Sequence, residues 1–177
     1  MVILPEATFE TAPPLDVIVV PGGWGVDAQL ENPAMLAFLK DRAPAARYVT
    51  SVCSGALLLG AAGLLNGYRA TTHWLSLDLL RHFGAEPVHQ RVVRDRNRIT
   101  GAGVTAGVDF AFVVAAELYG QEVAERIQLA IEYDPAPPFV SGSPATAPAG
   151  VRHAVNVASS ERVASRRAIV ARIVQDD

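Results

Sequence analysis

The stretch Tyr48-Val49-Thr50-Ser51-Val52-Cys53-Ser54-Gly55-Ala56-Leu57-Leu58-Leu59-Gly60 decides the fold. Its first half reads as a buried strand of a parallel sheet. Its second half reads as an apolar helix, stopped by Gly63 and the Asn66-Gly67 turn. Between the two stands Cys53, with a small residue two places before it (Ser51) and two places after it (Gly55). That spacing suits a strand-to-helix turn so tight that bulky neighbours at those positions would collide. Val49 to Tyr68 carries no charge and is long enough to span a bilayer as one helix, but its Thr, Ser, Gly and Asn interruptions favour strand, turn and buried helix.

Upstream of this stretch, Leu15 to Val20 is a short strand closed by Pro21-Gly22-Gly23, and Asn32-Pro33 opens a helix running to about Arg42. Arg47 to Val52 is the second strand and Ser54 to Ala62 its helix. Downstream, Tyr68 to Thr72 reads as a third strand, and Trp74 to Phe83 as a helix ended by Gly84. Arg91 to Arg94 and Arg98 to Thr100 flank the polar turn Asp95-Arg96-Asn97, a hairpin or bulged edge. Thr105 to Tyr119 is a long apolar helix, and Gln121 to Tyr133 an amphipathic one. The alternation predicts an α/β fold with a mostly parallel sheet. Residues 1–177 are read as a single domain. Its proline-rich segment 135–148 wraps the surface. A last helix over Val151 to Val174 carries Arg152, Arg162, Arg166, Arg167 and Arg172 as a solvated face.

The balance of 15 basic and 18 acidic residues supplies no field to collect nucleic acid or anionic lipid, so neither nucleic acid nor membrane is expected as a partner. A single cysteine precludes an internal disulfide, and the four histidines make no zinc pattern, so no metal is expected. Met1-Val2-Ile3-Leu4-Pro5-Glu6 has neither the basic start nor the cleavage site of a secretory signal, which points to the cytoplasm.

Chemistry converges on Cys53. Ligand sites in open α/β sheets lie beyond the carboxyl ends of strands, and the helix that follows presents free amides that favour thiolate over thiol. The competing reading is a small buried hydrophobe; the strand-end position favours the nucleophile. The Gly22-Gly23-Trp24 loop closes another strand. If the two strands are neighbours, the Gly23 and Ser54 N–H groups converge on developing negative charge, although glycine turns of this kind are common. His73, at a third strand end, either donates to a thiolate or orients water, or else caps a helix.

Through Val20-Pro21-Gly22-Gly23, Val52-Cys53-Ser54-Gly55 and Ala70-Thr71-Thr72-His73 the sequence resembles the ThiJ/PfpI superfamily, also described as type 1 glutamine-amidotransferase-like. Within it, residues 48–53, 59–65, 69–74, 91–95 and 133–139 are similar to isonitrile hydratases. The resemblance implies a flavodoxin-like three-layer sandwich. It also implies hydration of a small uncharged isonitrile to an N-substituted formamide through a cysteine thioimidate, without a cofactor. Cys53 would be the nucleophile, and Gly23, Ser54, His73 and Trp24 would bind the oxyanion or substrate in an apolar pocket edged by Trp24 and Trp74.

Family members carry a strand, a helix and another strand before the region where this sequence starts, including the acid that accompanies the cysteine. Glu6, Glu10 and Asp16 lie in the wrong segment to replace it, and Asp27 is a substitute only by proximity to the glycine loop. A sheet without its first strand-helix-strand has an exposed edge that invites pairing, and a homodimer is expected. The alternatives are a non-catalytic ligand-sensing or regulatory domain of the superfamily, and a stress-related deglycase, glyoxalase or peptidase relative.

Overall fold

A computed structural model describes residues 2–176; the outermost ends of the expected domain, Met1 and Asp177, lie outside them. The main sheet contains β1 (Val17–Val20), β2 (Tyr48–Val52), β5 (Val92–Asp95) and β6 (Arg98–Gly101), in the order β1-β2-β6-β5. β1, β2 and β6 are parallel, and β5 returns antiparallel to β6 through the turn at Arg96-Asn97. The expected hairpin is therefore present, and its second strand lies inside the sheet against β2.

Strand alternation divides the core between two faces. Ile18, Val20 and Val49 point to one face, where they meet α2 (Pro33–Arg42), α3 (Gly55–Ala61) and residues Ile169 and Val170 of α6 (Ala149–Asp176). Val17, Tyr48, Val52 and Ile99 point to the other face, under α4 (Ala106–Tyr119). The result is a three-layer α/β sandwich with a mostly parallel sheet. Helix α2 begins where the sequence places it, because the Asn32 side chain accepts from the N–H groups of Ala34 and Met35 and proline follows at the first helical position. α1 (Val26–Gln29) is a single turn after the glycine loop, and α5 (Gln121–Ala130) follows α4 across Gly120.

Two expectations fail. The third strand is only β3 (Arg69–Ala70), paired with β4 (Glu86–Pro87) in a separate two-stranded ribbon. It is excluded from the main sheet because β6 already occupies the outer edge of β2. The segment Trp74–Phe83 is a 3₁₀ helix instead of an α-helix, and it buries Ser76, Leu79 and Leu80. The uncharged stretch Val49 to Tyr68 resolves into strand, turn and helix, and no helix among the described residues is long and apolar enough to cross a membrane. β1 pairs only with β2 among the described residues, and Val19 on it is 53% exposed.

Candidate active site

Cys53 follows the last residue of β2 and takes a left-handed backbone, φ +57°. For a residue with a side chain this costs about 1–3 kcal/mol, and surrounding contacts must hold it there. Several do so. The Cys53 N–H donates to the Gly101 carbonyl at the end of β6, 3.0 Å away. Its own carbonyl accepts from Thr72 Oγ1 at 2.6 Å, which ties in the chain beyond β3. At Gly55 a Cβ would lie 2.2 Å from the Val20 carbonyl oxygen, so only glycine lets the turn pack against the end of β1. At Gly22 a Cβ would lie 2.6 Å from Cys53 Cβ and 3.1 Å from its Sγ. The glycine loop and the cysteine turn are thus fitted to one another.

Cys53 is half-buried and lines a cavity of about 390 Å³ together with Gly22, Gly23, Trp24, Ser54 and His73. All five residues singled out from the sequence (Cys53, Gly23, Ser54, His73 and Trp24) therefore border one hollow at the carboxyl end of the sheet. Trp24 and Val104, 82% and 77% exposed, form an apolar rim. Trp74 does not join them. It turns to the other side of His73, into a neighbouring cavity of about 620 Å³ shared with Thr71, Arg91 and the segment around Ser143 to Thr146. His73 is the extended residue that caps the 3₁₀ helix and Trp74 is the first residue within it, so the two side chains leave the backbone in different directions.

The Gly23 N–H is already engaged, donating to Ser54 Oγ at 3.3 Å. An oxyanion would have to displace that hydroxyl to use the amide. Ser54 makes no side-chain cap for α3, so its hydroxyl serves the glycine loop instead. His73 does cap its helix: Nδ1 accepts from the Leu75 N–H at 3.3 Å, which leaves the ring proton on Nε2. Burial, reinforced by the positive charges of Arg162 and Arg166, holds the imidazole below its ordinary range. A neutral imidazole with Nε2–H is therefore the form present at neutral pH.

Asp27 is not placed to act as an acid beside Cys53. It pairs with Arg166, whose Nε lies 2.5 Å from its Oδ1, and it is not among the residues lining the Cys53 cavity. Arg166 is 2% exposed and also donates through Nη1 to Ser76 Oγ at 2.9 Å. The last helix is thus no purely solvated face. One turn before Arg166, Arg162 lines the Cys53 cavity with its guanidinium carbon 4.3 Å from the centre of the Trp24 ring. A signal for this was present. Arg162, Arg166, Ile169, Val170 and Ile173 fall at the three- and four-residue intervals of a single helix stripe, the apolar end of which marks the buried side.

The model of the DJ-1/PfpI family matches residues 1–117. This chain belongs to the DJ-1/PfpI family. Among its relatives in that family, the isonitrile hydratase of Pseudomonas putida is 59% identical over 147 residues, which are 83% of this chain and 64% of the hydratase. This DJ-1/PfpI chain therefore spans a little under two thirds of that relative's length. The transcriptional regulator GbdR of Pseudomonas aeruginosa is 31% identical over 134 residues, 75% of this chain and 36% of the regulator. The crystal structure of a ThiJ/PfpI family protein from Pseudomonas syringae superimposes with a TM-score of 0.91 at 54% identity, covering 95% of this chain and 70% of that one.

Proposed function

We propose that this chain is the cysteine-bearing part of an isonitrile hydratase, adding water to R–N≡C to give R–NH–CHO. The observation that carries the reading is the 59% identity to such an enzyme over 147 residues. A stretch of that length in a chain of 177 residues necessarily includes both Cys53 and His73. The left-handed turn at Cys53 and its opening onto a cavity give that likeness a chemical locus.

In this reading the sulfur of Cys53 attacks the terminal isonitrile carbon. A C–S bond forms, a proton goes to that carbon, and one C–N π pair moves to nitrogen, leaving a thioimidate R–N=CH–S. Water then adds across the C=N bond. Its oxygen bonds to the carbon and a proton reaches nitrogen. The C–S bond breaks, the sulfur leaves with its electron pair and recovers a proton, and the formamide remains. His73, on the cavity wall and neutral with Nε2–H, takes the role of hydrogen-bond donor to the nitrogen or to the water in this reading. No carboxylate lines the cavity among the described residues, so the proton for carbon comes from the thiol or from water in this chain. The same reading puts the protein in the cytoplasm as a homodimer.

The test is incubation with cyclohexyl isocyanide and detection of N-cyclohexylformamide, using the chain as given and the chain extended by any residues encoded in frame upstream. Formamide from either form supports the reading. None from both, together with consumption of methylglyoxal, would replace it with a glyoxalase or deglycase. Saturable binding of isonitrile without turnover would favour the sensing role that the likeness to GbdR suggests.

A further inference from the structure

Arg162 sets the charge of the cavity. The residues lining it include no aspartate, glutamate or lysine, and Arg162 is the one arginine among them. Among the described residues no carboxylate forms an ion pair with it. The nearby Asp27 is committed to Arg166. A half-buried guanidinium with no counter-ion among the described residues, on the wall of a hollow with a nucleophile, attracts negative charge to that hollow.

Its presentation is held from two sides. One turn further along α6, Arg166 is locked between Asp27 of α1 and Ser76 of the 3₁₀ helix, the elements that follow the glycine loop and His73. That lock fixes the helix face from which Arg162 reaches across. The guanidinium itself lies over the Trp24 ring, its carbon 4.3 Å from the ring centre, and among the described residues its N–H groups donate to no protein acceptor. A planar fork with free edges matches a carboxylate through two parallel hydrogen bonds.

We infer that Arg162 is a specificity-determining residue, and that the preferred substrate is an isonitrile whose R group carries a carboxylate. This rests on the hydratase reading and narrows it. The uncharged substrate expected from the resemblance gives way to an anionic one, because an uncharged R group would leave the guanidinium without a partner in the loaded site.

The experiment compares isocyanoacetate with its methyl ester, which differ in little beyond the charge. In the unaltered protein kcat/KM favours the acid. In Arg162→Met the acid-to-ester ratio falls about tenfold, and Arg162→Lys keeps part of it. Raising the salt concentration compresses the preference in the unaltered protein and leaves the Met variant unmoved. A ratio unchanged by Arg162→Met overturns the proposal. A second measurement needs no hydration: the rates at which iodoacetate and iodoacetamide alkylate Cys53. Their ratio is expected to fall several-fold in Arg162→Met. A shifted alkylation ratio with no hydration of either isonitrile would sink the hydratase reading and keep the anion site. An unshifted ratio would sink the role of Arg162 whatever the turnover.

Discussion

Replacing Arg166 by methionine tests how the last helix is held to the site. The guanidinium is 2% exposed and makes two charged hydrogen bonds, to Asp27 at 2.5 Å and to Ser76 at 2.9 Å. Breaking a buried ion pair by removing one partner costs about 3–5 kcal/mol when the other charge stays dry. Here the Asp27 side chain keeps 20% of its exposure, so water recovers part of that cost. The Ser76 hydroxyl is wholly buried and would lose its partner, adding about 1–3 kcal/mol. Against this, Arg166 Nη2 has no hydrogen-bond partner among the described residues. Methionine removes that unsatisfied group and the desolvated charge with it. The balance is a loss of about 2–4 kcal/mol, or roughly 4–16 °C in melting temperature for a chain of this length. Urea and thermal melts of Arg166→Met, Asp27→Asn and the double variant give the coupling. The double variant should be more stable than the sum of the singles by about 1 kcal/mol or more. A single variant that melts within one degree of the parent, or singles that simply add, would refute the lock.

Cys53→Ala should abolish formamide production while changing unfolding free energy by no more than about 1 kcal/mol, since the cavity opened is small; surviving turnover would remove the sulfur from the mechanism. Gly22→Ala brings a methyl group within 2.6 Å of Cys53 Cβ and 2.7 Å of the Ser54 nitrogen. It should cost about 1–3 kcal/mol and alter the alkylation rate of Cys53, and an unchanged rate would mean that the loop and the turn are not fitted as described. His73 is held below its ordinary range by burial first and then by Arg162 and Arg166, so the unfolded chain binds this proton more readily than the folded one. Its contribution is therefore complete above the usual imidazole value of about 6.5 and is lost as pH falls through the lower folded value. His73→Asn, which keeps a side-chain acceptor for the Leu75 N–H, should flatten the decline in urea midpoint between pH 7 and pH 5; an equally steep decline would refute the assignment.

How far the site was legible follows from the range of the forces involved. Ser51, Cys53 and Gly55 announced their turn through the spacing of small residues about the cysteine, while the contact that demands glycine at 55, with the Val20 carbonyl, comes from a strand more than thirty positions away. Asn32-Pro33 announced α2 because the cap bonds reach only to residues 34 and 35. The strand ends carrying Gly23, Cys53 and His73 were recognisable for the same reason, and all three border one hollow. Arginines on the last helix were misread because their number outweighed the stripe on which two of them lie. Only the stripe shared with Ile169, Val170 and Ile173 separates Arg166, which is buried, from Arg167, which pairs with Asp78 at the surface.

The sequence by itself determined the α/β class, the strand-to-helix turn at Cys53 and the glycine turn after the first strand, since capping, turn chemistry and periodicity act over a few residues. That the glycine turn faces Cys53 came from the pairing of β1 with β2. Only the tertiary structure decided that β3 leaves the sheet, that Trp74 faces a different cavity, and that the Gly23 amide is held by Ser54. It alone brought Arg166 to Asp27, 139 positions away, and thereby Arg162 to the cavity of the cysteine. Such pairings depend on which helix packs against which edge, and that choice is made by the burial of whole faces, with no single residue carrying it.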